Sequence, residues 1–553
     1  MSYFDDASLV MIPSGYKTSK VYSVKPTDGT GDLTFTRSND TATRVASNGL
    51  IEKVRTNVIL QSETFDNASW SKSATGTGVA PVVTANNTTA PDGTLTADKI
   101  VFSAPLTADR SALTQIISLS TAANGSIYLK AFAAGDVGKI VAFRFNQSTY
   151  ALITLTADWQ RFNANQTADT SFDLELRPSV GTSDGTVSLY AWGAQLETGD
   201  IATPYIATTT AAVSVGPVAN VPRLDYLNSS CPRLLLEPQR TNLRLNSENF
   251  SAAAGWSASV NGDATATFTA NYGISPDGYQ NADRVQLALN TTGSYSDWIN
   301  YNAITIGTTY TYSVYAKSLS GTKTLEFLGG TPTGNILKTI TTEWTRLTHT
   351  FTAASGDLYP RFLIQAATTS TSADILVWGA QLEAGAYATS YIPTLGAAVT
   401  RGADACSKTG ISSLIGQTEG TLYAEYNIDG LNISARIISV SDSTTANRIV
   451  LLNDGASIRV FVANSSVGQV DMSFGTWLGS HKIAVAYANN DLVVFLDGVS
   501  VATDTSISVP ACSAAQVGTF EDNTNATPLG GGVKQALLFK TRLTNAQLAE
   551  LTA

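Results

Sequence analysis

One six-residue string occurs twice in this chain of 553 residues. Trp192-Gly193-Ala194-Gln195-Leu196-Glu197 returns letter for letter as Trp378-Gly379-Ala380-Gln381-Leu382-Glu383, and each copy is followed by a Tyr-Ile pair, Tyr205-Ile206 and Tyr391-Ile392. Self-similarity at a fixed period has to be settled before anything else, because it dictates one architecture used twice. The match extends upstream. Arg55-Thr56-Asn57 answers Arg240-Thr241-Asn242, Ser62-Glu63 answers Ser247-Glu248, and Pro91-Asp92-Gly93 answers Pro276-Asp277-Gly278. Trp70 pairs with Trp256, Tyr128 with Tyr315, and Trp159 with Trp344, at an offset that stays between 185 and 187 residues.

Within each copy, short runs alternate apolar and polar residues, as in Tyr310-Thr311-Tyr312-Ser313-Val314-Tyr315-Ala316. They are separated by Gly, Asn, Asp and Ser, and no long amphipathic helix interrupts them. Period-two strands at this spacing predict an all-β fold with two tandem jelly-roll β-sandwiches, over 53–208 and 238–395. A connector, 209–237, joins them. Residues 1–52 hold only short strand-like runs, Ser8–Pro13 and Leu33–Arg37. Such a segment is too small for a core of its own and must pack on the rest of the chain or on another protein.

Residues 396–553 have a different pattern. Strands such as Arg448–Leu452 and Ser457–Val462 flank Asn453-Asp454-Gly455, a strong hairpin turn. One helix is predicted, capped by Thr544, with Leu548 and Leu551 on one face.

The shared Arg-Thr-Asn, Ser-Glu-x-Phe, Pro-Asp-Gly, Tyr-x-Lys and Trp-Gly-Ala-Gln-Leu-Glu motifs resemble those of domains in tailed-bacteriophage structural proteins. The repeated block is similar to carbohydrate-binding jelly rolls of the xylanase-associated type. The C-terminal part, with Phe495-Leu496-Asp497-Gly498-Val499, looks like a concanavalin A-like (laminin-G-like) sandwich. The resemblance implies a non-enzymatic virion protein, assembled in the host cytoplasm, that binds glycan or host surface. It also implies an N-terminal attachment segment docking on other virion proteins, and a homo-oligomer, with a trimer as the common fibre state. A purely structural decoration protein and a glycan depolymerase are the alternatives.

The residues themselves narrow the chemistry. A net charge of −10 argues against a nucleic-acid surface, since phosphate neutralisation needs clustered Lys and Arg. No apolar run is long enough for a membrane helix. With only two histidines, His349 and His481, both in alternating strands, a Ser-His-Asp arrangement has little to draw on. Glu425-Tyr426-Asn427-Ile428-Asp429 is the nearest approach to a strand-borne catalytic carboxylate pair and reads as a strand entering a turn. No cofactor motif is present.

Sugar rings stack on aromatic faces, so the candidate ligand residues are aromatics outside the repeated set: Trp298, Tyr301, Tyr359 and Trp477. Trp159, Trp192, Trp344 and Trp378 recur as packing residues do. Jelly rolls of the resembled type often hold structural Ca2+, and the carboxylates that repeat are Glu63, Glu197, Glu248 and Glu383. The equal alternative for each Glu is a hydrogen bond from backbone amides at a sandwich edge.

Overall fold

The computed structural model describes residues 3–553 apart from 120–121, 145–149, 167–168, 330–335, 355, 366–368, 431–434, 456, 477 and 522–527. It divides into two compact units: Val54–Gly216, and Met1–Lys53 together with Pro217–Ala553.

The Val54–Gly216 unit is the first repeat. One five-stranded antiparallel sheet runs Gln160–Gln166, Ala123–Ala131, Gly185–Thr198, Ala97–Ala104, Val79–Thr88. The other runs Ala151–Thr154, Ile140–Arg144, Asp169–Leu176, Arg110–Leu119, Ser71–Thr75. Successive strands cross from one sheet to the other in jelly-roll order, as the turn spacing predicts. Phe102, Leu113, Leu129, Phe143, Phe172 and Leu174 point between the sheets around Trp70. The second repeat reproduces both sheets over Ser257–Ala384, with Phe250, Trp256, Val314, Phe327 and Phe362 in its core.

The repeated glycine has a backbone reason. Between Ser126/Tyr128 and Gln195/Trp192 the ladder skips a residue, and the same shift separates Ser313/Tyr315 from Gln381/Trp378. Gly193 and Gly379 sit in these bulges at φ +65° and +67°, where a side chain would be strained.

The C-terminal sandwich is built from three stretches of sequence. Its eight-stranded sheet includes Gly531–Phe539 and Glu419–Ile428, and its other sheet has nine strands. Leu9–Met11 pairs antiparallel with Gly531–Phe539, with Leu9 opposite Leu538. Leu33–Thr36 pairs with Ala405–Thr409, and Arg233–Leu236 joins the far part of Gly531–Phe539. Of the two alternatives for residues 1–52, packing on the rest of the chain or on another protein, the strands Leu9–Met11 and Leu33–Thr36 take the first, and the end of the connector 209–237 joins the same sandwich. Leu9, Met11, Leu33, Phe35, Leu234 and Leu236 are all buried in the C-terminal core. Burying each such side chain is worth about 1.5–3 kcal/mol, enough to hold these short strands in place. The predicted helix is present as Asn545–Thr552, with Thr544 and Gln547 forming a capping box.

A charge network ties these stretches together. Arg37 pairs with Asp404 at 3.1 Å, and Arg223 bridges Asp404 and Glu237 (2.7 Å to the latter). Arg401 pairs with Glu237 at 3.0 Å, and Glu237 also accepts the Ser390 N–H at 2.7 Å. All five charged residues are buried. Burial, together with the Arg223 and Arg401 guanidiniums, lowers Arg37 to about 10 despite its Asp404 partner. Among the described residues no helix is long and apolar enough to cross a membrane.

Candidate functional site

The repeated motifs build a latch that closes each jelly roll. Asn57 donates through Nδ2 to Ala194 O (3.0 Å) and Ile206 O (2.8 Å), and its Oδ1 accepts from Leu196 N and Ile59 N. Asn242 does the same with Ala380 O, Ile392 O, Leu382 N and Arg244 N. Every polar atom of these buried amides is thus satisfied by main chain, which fixes the strand after each Arg-Thr-Asn against the repeated hexapeptide.

The four repeated glutamates belong to this latch. Glu197 accepts from Thr203 N (2.7 Å) through one oxygen and Thr203 Oγ1 (2.6 Å) through the other, and Gln195 also donates to it. Glu383 repeats this with Thr389 and Gln381. Glu63 and Glu248 accept from the hydroxyls of Tyr205 and Tyr391, each at 3.0 Å. Among the described residues no group of three or more His, Cys, Asp or Glu is placed to hold a metal ion. The donor set of a hard cation is not gathered by these four carboxylates, and backbone hydrogen bonding fits Glu197 and Glu383.

The aromatic candidates separate. Trp298 is a core residue: it is 7% exposed, stacks on Phe268 at 5.5 Å and donates its Nε1–H to Phe250 O at 3.0 Å. It lies opposite Ala258, as Leu113 lies opposite Lys72, so it fills the place that a core leucine fills in the first repeat. Ligand contact by Trp298 is therefore corrected to packing. Tyr301 and Tyr359 do come together, with ring centroids 5.7 Å apart and planes at 61°. Tyr301 is 53% exposed. Trp477 lies outside the described residues.

This tyrosine pair borders a polar patch on the outward face of a sheet. Core residues Trp298, Leu325, Phe327 and Phe362 point inward, so their strand neighbours Asp297, Glu326 and Arg361 point away from the core. Asp297 and Glu326 stand in one row across the sheet, each opposite Leu363. Arg361 reaches both: its Nε is 3.0 Å from Asp297 Oδ2 and its Nη1 3.2 Å from Glu326 Oε1. Among the described residues, Asp297 Oδ1 and Glu326 Oε2 are buried with no hydrogen-bond partner. Burial pushes both carboxyls above their ordinary values, Arg361 opposing, and in Glu326 the charge of Asp297 adds to the rise. A buried acceptor without a donor costs about 1–3 kcal/mol.

The first repeat carries a different set on the equivalent face. Asp173 and Glu175 are buried beneath Arg110 and Arg144, with Arg144 Nε 3.2 Å from Asp173 Oδ2. Tyr150 accepts from Arg177 at 2.8 Å and Arg144 at 3.3 Å. Asp173 stands opposite Thr114, and Arg361 opposite Ile299, so an acid in one repeat holds the position of an arginine in the other. Sequence reasoning misses both clusters. Their signal is a charged residue between core residues of a strand, as in Ser296-Asp297-Trp298 and Leu325-Glu326-Phe327.

Elsewhere, Glu425 pairs with Lys534 at 3.4 Å and Asp429 with Arg233 at 2.8 Å, so the strand-borne carboxylates of the C-terminal sandwich are engaged separately. His481 Nδ1 lies 2.7 Å from Asp497 Oδ2, and His349 stacks on Phe351.

No protein-family model matches the chain, and no curated protein matches it. Among solved structures, similarity is found to the carbohydrate-binding module CBM40 of the Ruminococcus gnavus IT-sialidase bound to α2,3-sialyllactose. That match has 16% identity and a TM-score of 0.24, over 26% of this chain and 91% of that one. Domain 4 of the arabinanase AbnA from Geobacillus stearothermophilus, in complex with arabinotriose, matches at 18% identity and a TM-score of 0.24, over 30% and 81%. The NanB sialidase of Streptococcus pneumoniae matches at 14% identity and a TM-score of 0.23, over 27% of this chain and 26% of that one.

Proposed function

We propose that this chain is a non-enzymatic glycan-binding protein displayed on the virion of a tailed phage, and that its second jelly roll carries the sugar contact. The observation behind the sugar contact is the patch at Tyr301 and Tyr359. Two tyrosine faces border the Arg361 guanidinium, which is partly exposed and held by two buried carboxylates. Tyrosine faces suit sugar rings, and a fixed guanidinium suits sugar hydroxyls. The virion setting, with a homo-oligomeric, trimeric state and assembly in the host cytoplasm, rests on the resemblance of the repeated motifs. Attachment to other virion proteins then uses a surface other than the strands Leu9–Met11 and Leu33–Thr36. Display in several copies would raise weak sugar contacts to useful avidity.

The test is a glycan array with the full chain, with sialyllactose and arabinotriose among its probes, beside the Tyr301→Ala, Tyr359→Ala double variant. Binding by the wild type that the double variant loses supports the reading. An array without signal leaves the decoration role. The depolymerase alternative has one specific observation in its favour: Asp297 and Glu326 come from non-adjacent strands, and burial pushes both carboxyls above their ordinary values. Release of reducing ends from a bound polysaccharide, abolished by Asp297→Asn, would establish that alternative.

A further inference from the structure

The two repeats share a second feature, and they use it differently. In the second repeat, the hairpin of Thr43–Val45 and Ile51–Lys53 lies over Trp378 and Tyr391. Ile51 packs against both rings, and its N–H donates to Pro276 O at 2.9 Å. Lys53 Nζ is 2.8 Å from Glu248 Oε1, 2.7 Å from Asp277 Oδ2 and 5.4 Å from the Trp378 ring centre. The two carboxylates and the indole therefore form a cup around one ammonium.

Each wall of that cup recurs in the first repeat, as Glu63, Asp92, Trp192 and Tyr205. Its latch is the same: Ser62 and Tyr205 share a hydrogen bond at 2.5 Å, as Ser247 and Tyr391 do at 2.6 Å. Among the described residues, however, no ion pair reaches Glu63 or Asp92. Tyr391 and Asp277 are buried, whereas Tyr205 is half-buried and Asp92 exposed. Gly278 and Gly93 have the same left-handed turn, at φ +86° and +88°. A Cβ on Gly278 would meet Leu50 at 2.7 Å, but on Gly93 it would meet nothing within 4 Å. Beside Gly93, Leu95 is 64% exposed. Burial raises the Glu63 carboxyl above its ordinary value, against the Tyr205 hydrogen bond and with the charge of Asp92 adding to the rise.

We infer that the face formed by Glu63, Asp92 and Tyr205 over the buried Trp192 docks a β-hairpin of a partner polypeptide that carries a lysine at its open end, as the second repeat docks Ile51-Glu52-Lys53. The lysine ammonium would lie between Glu63 and Asp92, and an aliphatic residue two positions before it would cover the half-buried Tyr205, beneath which Trp192 is already buried. Charge complementarity and the filled homologous cup both specify a primary ammonium on an extended strand rather than a guanidinium or a sugar. The inference is independent of the glycan reading, which concerns a different face.

The probe is a backbone-cyclised peptide of residues 43–53, labelled and titrated into the full chain by fluorescence anisotropy. Saturable binding is expected. It should weaken about tenfold when Glu63→Gln and Asp92→Asn are combined, and again when norleucine replaces lysine in the peptide, as for a partly desolvated charge pair. Both substitutions are near-isosteric and lie at half-exposed or exposed positions, so the fold is retained. Absence of binding, binding indifferent to the double variant, or binding indifferent to the peptide's ammonium would each overturn the proposal.

Discussion

The first and second repeats have one fold and two circumstances. The first, Val54–Gly216, is complete in itself: both sheets, the latch and the core come from one continuous stretch. The second shares its unit with strands from the N-terminal stretch and with the C-terminal sandwich, and its Glu248–Asp277 cup is filled by Lys53. Duplication has kept every residue that the fold needs. It has released the outward sheet face, where two arginines meet two acids in one copy and one arginine meets two acids in the other. The latch recurs as architecture, and recognition is left to the outward face, which differs, and to the cup, which is filled in one copy and open in the other.

Five variants test this contrast, beginning with the largest effect. Asp404→Ala leaves Arg37 and Arg223 buried without their shared carboxylate, and should destabilise the larger unit by about 3–5 kcal/mol. In calorimetry the transition of Val54–Gly216, identified from the isolated fragment, should stay where it was. An equal fall in both transitions would break the contrast. Trp298→Leu makes the second core resemble the first, where Leu113 stands. The neighbours are shaped for an indole, so a cavity remains and about 2–3 kcal/mol should be lost in urea unfolding. If glycan binding vanished while stability held, Trp298 would be a ligand residue after all.

Lys53→Met keeps the aliphatic stem but leaves Glu248 and Asp277 facing each other. A loss of about 1–2 kcal/mol is expected, smaller than for Asp404 because the cup is partly open to water. Glu63→Gln in the first repeat, where no cation is lost, should leave stability unchanged or slightly raised, and a matching loss there would mean that its cup is filled. A small effect on folding is also expected of Tyr301→Ala with Tyr359→Ala. These residues lie at the surface, so stability should move by about 0.5 kcal/mol or less while sugar affinity falls about tenfold.

The repeats are legible in the sequence because the latch depends on side chains that tolerate no substitute. Asn57 and Asn242 satisfy four backbone groups each, and Gly193 and Gly379 occupy bulges at positive φ. The jelly-roll order follows from strand spacing and the terminal helix from its cap. The N-terminal stretch is not legible, because a three-residue strand such as Leu9–Met11 has no local signature of its partner, and Leu538 lies more than five hundred residues away. Trp298 misleads for a related reason: the absence of a matching tryptophan hides the fact that its counterpart, Leu113, is also core. The outward clusters escape because charge changes position between the copies, so aligning the repeats cancels the signal.

The pairing of Leu9 with Leu538 also orders events during synthesis. The first strands leave the ribosome early, yet their place in the C-terminal sandwich exists only after Gly531–Phe539 has been made. At roughly 5–20 residues per second the delay is on the order of 30–100 s, long enough for both jelly rolls to close first. During that interval Leu9, Met11, Leu33 and Phe35 lack the strands that bury them. The nascent chain thus passes through a stage at which a chaperone, or a neighbouring nascent chain, can compete for its beginning before its own end arrives.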